Sequence, residues 1–147
     1  MNKTKLTEPI SDLEFEAYYH CRWEVLRKPW GQPKGSEKAP DDEESEHVMA
    51  VDNYDHVCGV ARLTVLDKTT AQIRFMGVKD QNTGKGIGAS LLNYLENLAK
   101  AKGAKKIMLH AREIALPFYR KLGYSTIEKS HLLWNEIQHF KMEKVIT

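Results

Sequence analysis

The chain predicts a mixed α/β fold in which helices pack on a sheet, and three observations point to it. Residues 47–78 read as three strand-like segments separated by hairpin-type turns, the last of them alternating as a half-buried strand does, which together make an antiparallel meander. From Ile87 the period changes to that of an amphipathic helix, entered through a glycine-rich turn. After residue 104 an apolar strand, a helix and two further strands follow, so later strands join the same sheet.

Taken in order, the start is polar, with a strand expected near residues 4–7. Ser11 or Asp12 can cap a helix running to about Arg27, with Leu13, Ala17, Tyr18, Cys21 and Val25 or Leu26 as its apolar face. Pro29, Gly31, Pro33 and Gly35 cannot continue that helix, and residues 36–46 are polar and acidic, which predicts a long mobile loop. Strands are expected at about 47–52, 56–66 and 71–78. In the last, Ile73, Phe75 and Gly77 face one way and Arg74, Met76 and Val78 the other. Residues 79–81 turn the chain. Ile87, Leu91, Leu92, Leu95, Leu98 and Ala99 then share one helical face, which ends at Lys100, Lys102 and Gly103. A buried strand at 105–111, a helix at about 113–122, a short strand after Gly123 and a last strand near 138–146 complete a single domain, 1–147.

With 22 Lys and Arg against 20 Asp and Glu, the net charge of +2 argues against a dedicated nucleic-acid binder. Cys21 and Cys58 are too few for a disulfide framework or a zinc site; both are expected reduced and packed, and no metal is implied. Nothing resembles a secretory signal, and no apolar run approaches the ~20 residues of a membrane helix. A cytoplasmic protein with no membrane partner is the expectation.

The glycine-rich turn is the chemically informative stretch. The first N–H groups of a helix lack internal acceptors and sit at the positive end of its dipole, where phosphate fits. Gly84, Gly86 and Gly88 let a pyrophosphate approach without meeting a Cβ, and Lys85 adds a cation. The competing reading is a loop that needs glycine only for its backbone angles. A Walker A loop fails, because Lys79 and Gly86 stand where it needs Gly and Ser or Thr. Gly84, Gly86 and Ala89 meet the dinucleotide pattern G-x-G-x-x-G/A on paper, with Glu113 for a ribose, but hairpins precede it and only a short tail follows.

The third pattern, [QR]-x-x-G-x-[GA] between a strand and a long helix, fits best. Thr83-Gly84-Lys85-Gly86-Ile87-Gly88 resembles the acyl-CoA loop of the GCN5-related N-acetyltransferases. Pro117-Phe118-Tyr119-Arg120-Lys121-Leu122-Gly123-Tyr124 resembles their second signature, F-Y-x-K-x-G-[FY]. The resemblance covers roughly residues 48–145. Thr83 replaces the usual Gln or Arg, although Gln81 meets the pattern in a shifted register. Arg112 stands where many members carry Asn, and the central strand holds no Glu.

The resemblance implies a largely antiparallel central sheet with a V-shaped splay between its central strands, and an enzyme that uses acetyl-CoA to acylate a primary amine of a small molecule or peptide. Backbone amides at Met76, Gly77 and Val78 would hold the pantetheine and polarise the carbonyl. Thr83, Gly84, Lys85, Gly86, Ile87, Gly88 and Ala89 would take the pyrophosphate, with Arg112 near the arm. Tyr119 matches the tyrosine that hydrogen-bonds the CoA sulfur and serves as general acid. The proton acceptor is open among His47, His110, Glu113 and His139, or a water chain to a carboxylate. A homodimer is a further expectation of the family.

Two features stay open between readings. The acidic residues Asp41, Asp42, Glu43, Glu44 and Glu46 are either a solvated loop or a field that draws a cationic amine. Trp30 lines a pocket or covers the core edge. The rivals to an enzyme are a non-catalytic acyl-CoA sensor and a NAD- or nucleotide-binding domain.

Overall fold

A computed structural model describes residues 4–146. Ser11 closes a capping box over helix α1 (Asp12–Leu26): its Oγ accepts the Glu14 amide at 3.1 Å while Glu14 Oε1 accepts the Ser11 amide at 3.0 Å. Helix α2 (Ile87–Ala101) and helix α3 (Leu116–Lys121) follow. The strands are β1 (Lys5–Thr7), β2 (Glu46–Val51), β3 (Val57–Val65), β4 (Thr70–Val78), β5 (Lys106–Arg112), β6 (Ser125–Leu133) and β7 (Ile137–Val145). They form a seven-stranded sheet in the order β1-β2-β3-β4-β5-β7-β6, with β4 and β5 parallel and β1–β2, β2–β3, β5–β7 and β6–β7 antiparallel. The mixed, largely antiparallel sheet is the one the sequence predicts.

The described residues fall into two compact units, one running through Thr64 and including Phe75–Leu95, the other made of Val65–Arg74 and the chain from Glu96 on. In the first, Tyr18 and Cys21 of α1 pack with Met49, Val51, Val57 and Val60, and Phe15, Tyr19 and Val25 close over them. Tyr18, Cys21 and Val25 lie on the buried side of α1 as expected, but the rest of that side differs. Leu13 is 78% exposed and Ala17 is exposed, whereas Arg22 is buried completely. A pattern that scores arginine as polar rotates the helix away from the face that carries it. Gly77 answers to the same packing, because a Cβ there would lie 2.7 Å from Val25 Cγ1.

The expected mobile loop is instead tied down. It begins and ends in 3-10 turns at Lys28–Trp30 and Asp42–Glu44, and Trp23 Nε1 donates to the Gln32 carbonyl at 3.0 Å. Arg27 Nε donates to the Ser36 carbonyl at 3.2 Å. Glu37 and Asp42 are buried, so the acidic run is not simply a solvated surface. Cys21 and Cys58 are free thiols in buried positions, as expected.

In the second unit, Thr70, Ala71 and Gln72 of β4 pair with Lys106, Ile107 and Met108 of β5. The helix expected at 113–122 opens as a 3-10 turn at Glu113–Ala115 before α3, whose first turn contains Pro117. Strand β6 runs nine residues, longer than the short strand expected. Its register against β7 slips at Thr126/Glu128 and at Lys129/Leu132, and each slip resets the inward and outward alternation that sequence reading relies on.

Candidate functional site

In the first unit β4 leads into the glycine turn. The Lys79 amide donates to the Cys58 carbonyl at 2.8 Å, a 3-10 turn follows at Asp80–Asn82, and Thr83 Oγ1 donates to the Asp80 carbonyl at 2.8 Å. Gly84 and Gly86 adopt left-handed backbones, φ 78° and 81°, where side chains rarely fit. A Cβ built at either would meet no protein atom within 4 Å, so the space over the turn is open. The first α2 bond runs from the Ser90 amide to the Gly86 carbonyl at 3.0 Å. Ile87 is buried and anchors the helix, while Thr83 and Lys85 are exposed and Gly88 and Ala89 half-exposed. Open left-handed glycines at the start of a helix make a cradle of the kind that suits a pyrophosphate.

Upstream, the even alternation expected in the central strand is interrupted at Phe75, whose φ is 53°. A left-handed backbone at a non-glycine residue costs roughly 1–2 kcal/mol, so neighbours must hold it. The Arg22, Arg62 and Arg27 guanidinium carbons lie 4.3, 5.0 and 5.6 Å from the centre of the Phe75 ring. Arg22 and Arg62 are fully buried and share Asp42: Arg22 Nη1 donates to its two oxygens at 3.0 and 3.1 Å, and Arg62 Nη1 to Oδ1 at 3.1 Å. Arg62 also forks onto Asp41 at 2.7 and 3.1 Å. Burial alone would raise the Asp42 carboxyl, but the Ala39 amide and both arginines outweigh it and hold the group below its ordinary value.

His47, a candidate base, lies inside this network. Its Nε2 donates to the Asp42 carbonyl at 2.7 Å, which leaves Nδ1 to accept from the Tyr18 hydroxyl at 2.7 Å. Tyr18 in turn receives Arg22 Nη2 at 2.9 Å. Burial keeps the imidazole below its ordinary pKa, hence neutral, and both ring nitrogens are engaged. A groove of about 1130 Å³ runs along α1, with Phe15, Tyr19, Trp23, Glu37, Lys38 and His47 among its walls. Trp30, 38% exposed, ends the first 3-10 turn.

The second unit carries Tyr119 on α3. Burial pushes its phenol up to about 12, against a smaller opposing pull from Arg112. The hydroxyl therefore keeps its proton at neutral pH. A phenol in that state can donate a hydrogen bond to a thiolate, whose thiol has a pKa of ~8.5, but is too weak an acid to give its proton up. Its ring meets Phe118 and Tyr124 edge-on at 5.0 and 5.8 Å. Tyr124 is fixed by its own hydroxyl, which donates to Glu96 Oε2 at 2.8 Å, and Lys144 Nζ donates to Glu96 Oε1 at 3.0 Å.

His110 on β5 shares a 3.0 Å hydrogen bond between Nδ1 and Ser130 Oγ. Burial, then the nearby His131, His139, Lys141 and Arg74, lower its pKa, so the ring is neutral at pH 7. His139 Nδ1 donates to the Ile137 carbonyl at 3.0 Å, and its ring stacks on His131 at 4.3 Å. Arg112 and Glu113 are exposed, with Arg112 opposite His139 in the β5–β7 register. Among the described residues no three His, Cys, Asp or Glu side chains are arranged to hold a metal.

Sequence reasoning missed Arg22, Arg62 and the kink at Phe75. One signal was available: Arg62 is the single charge within the apolar run of β3, and an acidic run lies nearby in sequence. Phe75 gives no sign of its conformation.

The sequence model of the Acetyltransferase (GNAT) family matches residues 15–124. The chain is 30% identical over 126 residues to the uncharacterized N-acetyltransferase YjcF of Bacillus subtilis (strain 168), covering 86% of this chain and 89% of that protein. Among solved structures it is similar to an aminoglycoside 6'-N-acetyltransferase complexed with coenzyme A, with a TM-score of 0.81, 19% identity and 97% of each chain covered. An acetyltransferase of the GNAT family from Staphylococcus aureus Mu50 matches with a TM-score of 0.81 and 16% identity, over 99% of this chain and 100% of the other.

Proposed function

Because the chain belongs to the acetyltransferase (GNAT) family and is thereby an acyltransferase, we propose that it transfers an acetyl group from acetyl-CoA to a primary amine. The acceptor amine belongs to a small molecule or peptide and attacks directly in a ternary complex. The observation that carries this reading is the cradle at Gly84 and Gly86, open above two left-handed glycines and continuous with the first turn of α2. The coenzyme A held by the similar aminoglycoside enzyme supports the same choice of co-substrate.

The co-substrate supplies an activated acetyl carbonyl, and this chain's residues do the rest. Thr83 to Ala89 bind the pyrophosphate through amide groups and Lys85, and Met76, Gly77 and Val78 offer the backbone that orients the acyl-pantetheine. Arg112 and Tyr119 complete the cofactor contacts. Tyr119 donates a hydrogen bond to the sulfur as it departs with negative charge. His110 takes the amine proton: its ring is neutral at pH 7, and Ser130 orients it. His47 is the weaker choice, since its two nitrogens are already bonded. No described helix is long and apolar enough to cross a membrane. A cytoplasmic location is part of the proposal, and so is a homodimer, which the family resemblance implies.

Calorimetry with acetyl-CoA and with NAD, followed by thiol release across an amine panel, tests the reading. Tight acetyl-CoA binding with amine-dependent thiol release is expected. Binding of NAD in place of acetyl-CoA would overturn it.

A further inference from the structure

We infer that Arg22 and Arg62 are positioning residues, which hold Phe75 in its left-handed conformation and so fix the Met76–Val78 backbone that carries the acyl-pantetheine arm. The inference rests on the role proposed for that backbone. Its starting point is geometric. Phe75 adopts φ 53° inside a strand, a conformation an aromatic residue does not take unaided. Its ring is met by the buried Arg22 at 4.3 Å and the buried Arg62 at 5.0 Å, with Arg27 farther out at 5.6 Å.

The arginines are themselves held in place. Asp42 binds both, Asp41 takes the fork of Arg62, and Tyr18 receives Arg22. Yet the Nε of each arginine is buried without a hydrogen-bond acceptor. Each guanidinium therefore gives up a hydrogen bond and has the π face of Phe75 as a neighbour for its charge. An apolar cluster of the same volume is often as stable as a buried ion-pair network or more so, which makes stability a poor reason for two buried arginines. A planar cation that stacks on a ring fixes that ring's position, and lysine does not reproduce it.

Four full-length variants test this: Phe75→Ala, Phe75→Gly, Arg62→Lys, and Phe75→Gly combined with Arg62→Lys. Glycine adopts positive φ freely and alanine does not, although both lose the ring and the same packing. Phe75→Ala is expected to weaken acetyl-CoA binding about tenfold, while Phe75→Gly stays within about threefold of the wild type. Arg62→Lys should weaken binding about fivefold alone and add nothing in the Phe75→Gly background, a non-additivity that a merely structural arginine would not show. Equal affinity losses for Phe75→Ala and Phe75→Gly would overturn the inference.

Crystal structures of Phe75→Ala and Arg62→Lys supply a readout independent of the co-substrate. A negative φ at residue 75 supports the clamp, and a retained positive φ overturns it. Should the wild type bind no acetyl-CoA, the proposed function falls, while φ at residue 75 still decides whether the arginines set the kink. If Arg62→Lys fails to fold, the comparison of alanine with glycine at position 75 decides.

Discussion

Replacing Asp42 with alanine tests how the first unit handles two buried positive charges. Asp42 is 6% exposed and accepts from Arg22 at 3.0 and 3.1 Å, from Arg62 at 3.1 Å and from the Ala39 amide at 2.7 Å. Its loss strands the fully buried Arg22 without a carboxylate and leaves Arg62 with Asp41 alone. Breaking a buried pair from one side costs roughly 3–5 kcal/mol, a large part of a total of about 5–15. Asp41 serves as the control, because its side chain is 42% exposed and water screens it, so Asp41→Ala should cost only about 1 kcal/mol. Urea titrations at pH 7 give both numbers, and for a chain of this size the larger should lower Tm by roughly 10 °C. Adding Arg22→Met to Asp42→Ala should recover part of the loss, since no buried charge is then left unmatched on α1. The reasoning fails if Asp42→Ala costs no more than Asp41→Ala, for the network would then be solvated in practice.

Gly86→Val places a branched side chain at φ 81° in otherwise open space, so the fold should survive with a loss of about 1–2 kcal/mol while acetyl-CoA affinity falls at least about tenfold by calorimetry. Burial first, with neighbouring charge, lowers the pKa of His47, His110 and His139 below the ordinary 6.5, so the unfolded chain takes up these protons first. Stability from these groups is complete above pH 6.5 and falls as the pH drops below it. Asp42 adds a further loss below its ordinary 3.8, and His47→Gln should flatten the first limb in melts taken from pH 7.5 to 5. Tyr119→Phe removes the hydroxyl proposed to donate to the departing thiolate and leaves the ring against Tyr124. The turnover number should fall by roughly 10²-fold with KM for acetyl-CoA little changed, and wild-type turnover would sink the assignment.

What could be read from the sequence follows from what each signal measures. The sheet, α2 and the glycine turn were legible because hydrophobic period and glycine spacing are local, and α2 buries Leu91, Leu92, Leu95 and Ala99 as its spacing demands. On α1 the sequence shows Tyr18, Cys21 and Val25 but not Arg22, because burial of Arg22 depends on Asp42, twenty residues away, and no window on the helix contains that carboxylate. The same pairing misplaced the acidic loop: Asp41 and Asp42 look like surface charge until Arg22 and Arg62 are seen beneath them. Strand β6 was cut short because two register slips break the period that would have revealed it. Phe75 is the extreme case, since its sequence neighbours suit an ordinary strand and its conformation is imposed by side chains from α1 and β3. These cases share a cause. Local pattern reports the average environment of a segment, whereas a buried charge or a left-handed residue persists only where several distant groups over-determine it. In this chain the two kinds of exception coincide, because Arg22, which defeats the periodicity of α1, faces the kinked residue of β4 together with the buried Arg62 of β3. A mutation in one should therefore be felt in the other, and the region where sequence reading failed adjoins the backbone proposed to hold the co-substrate.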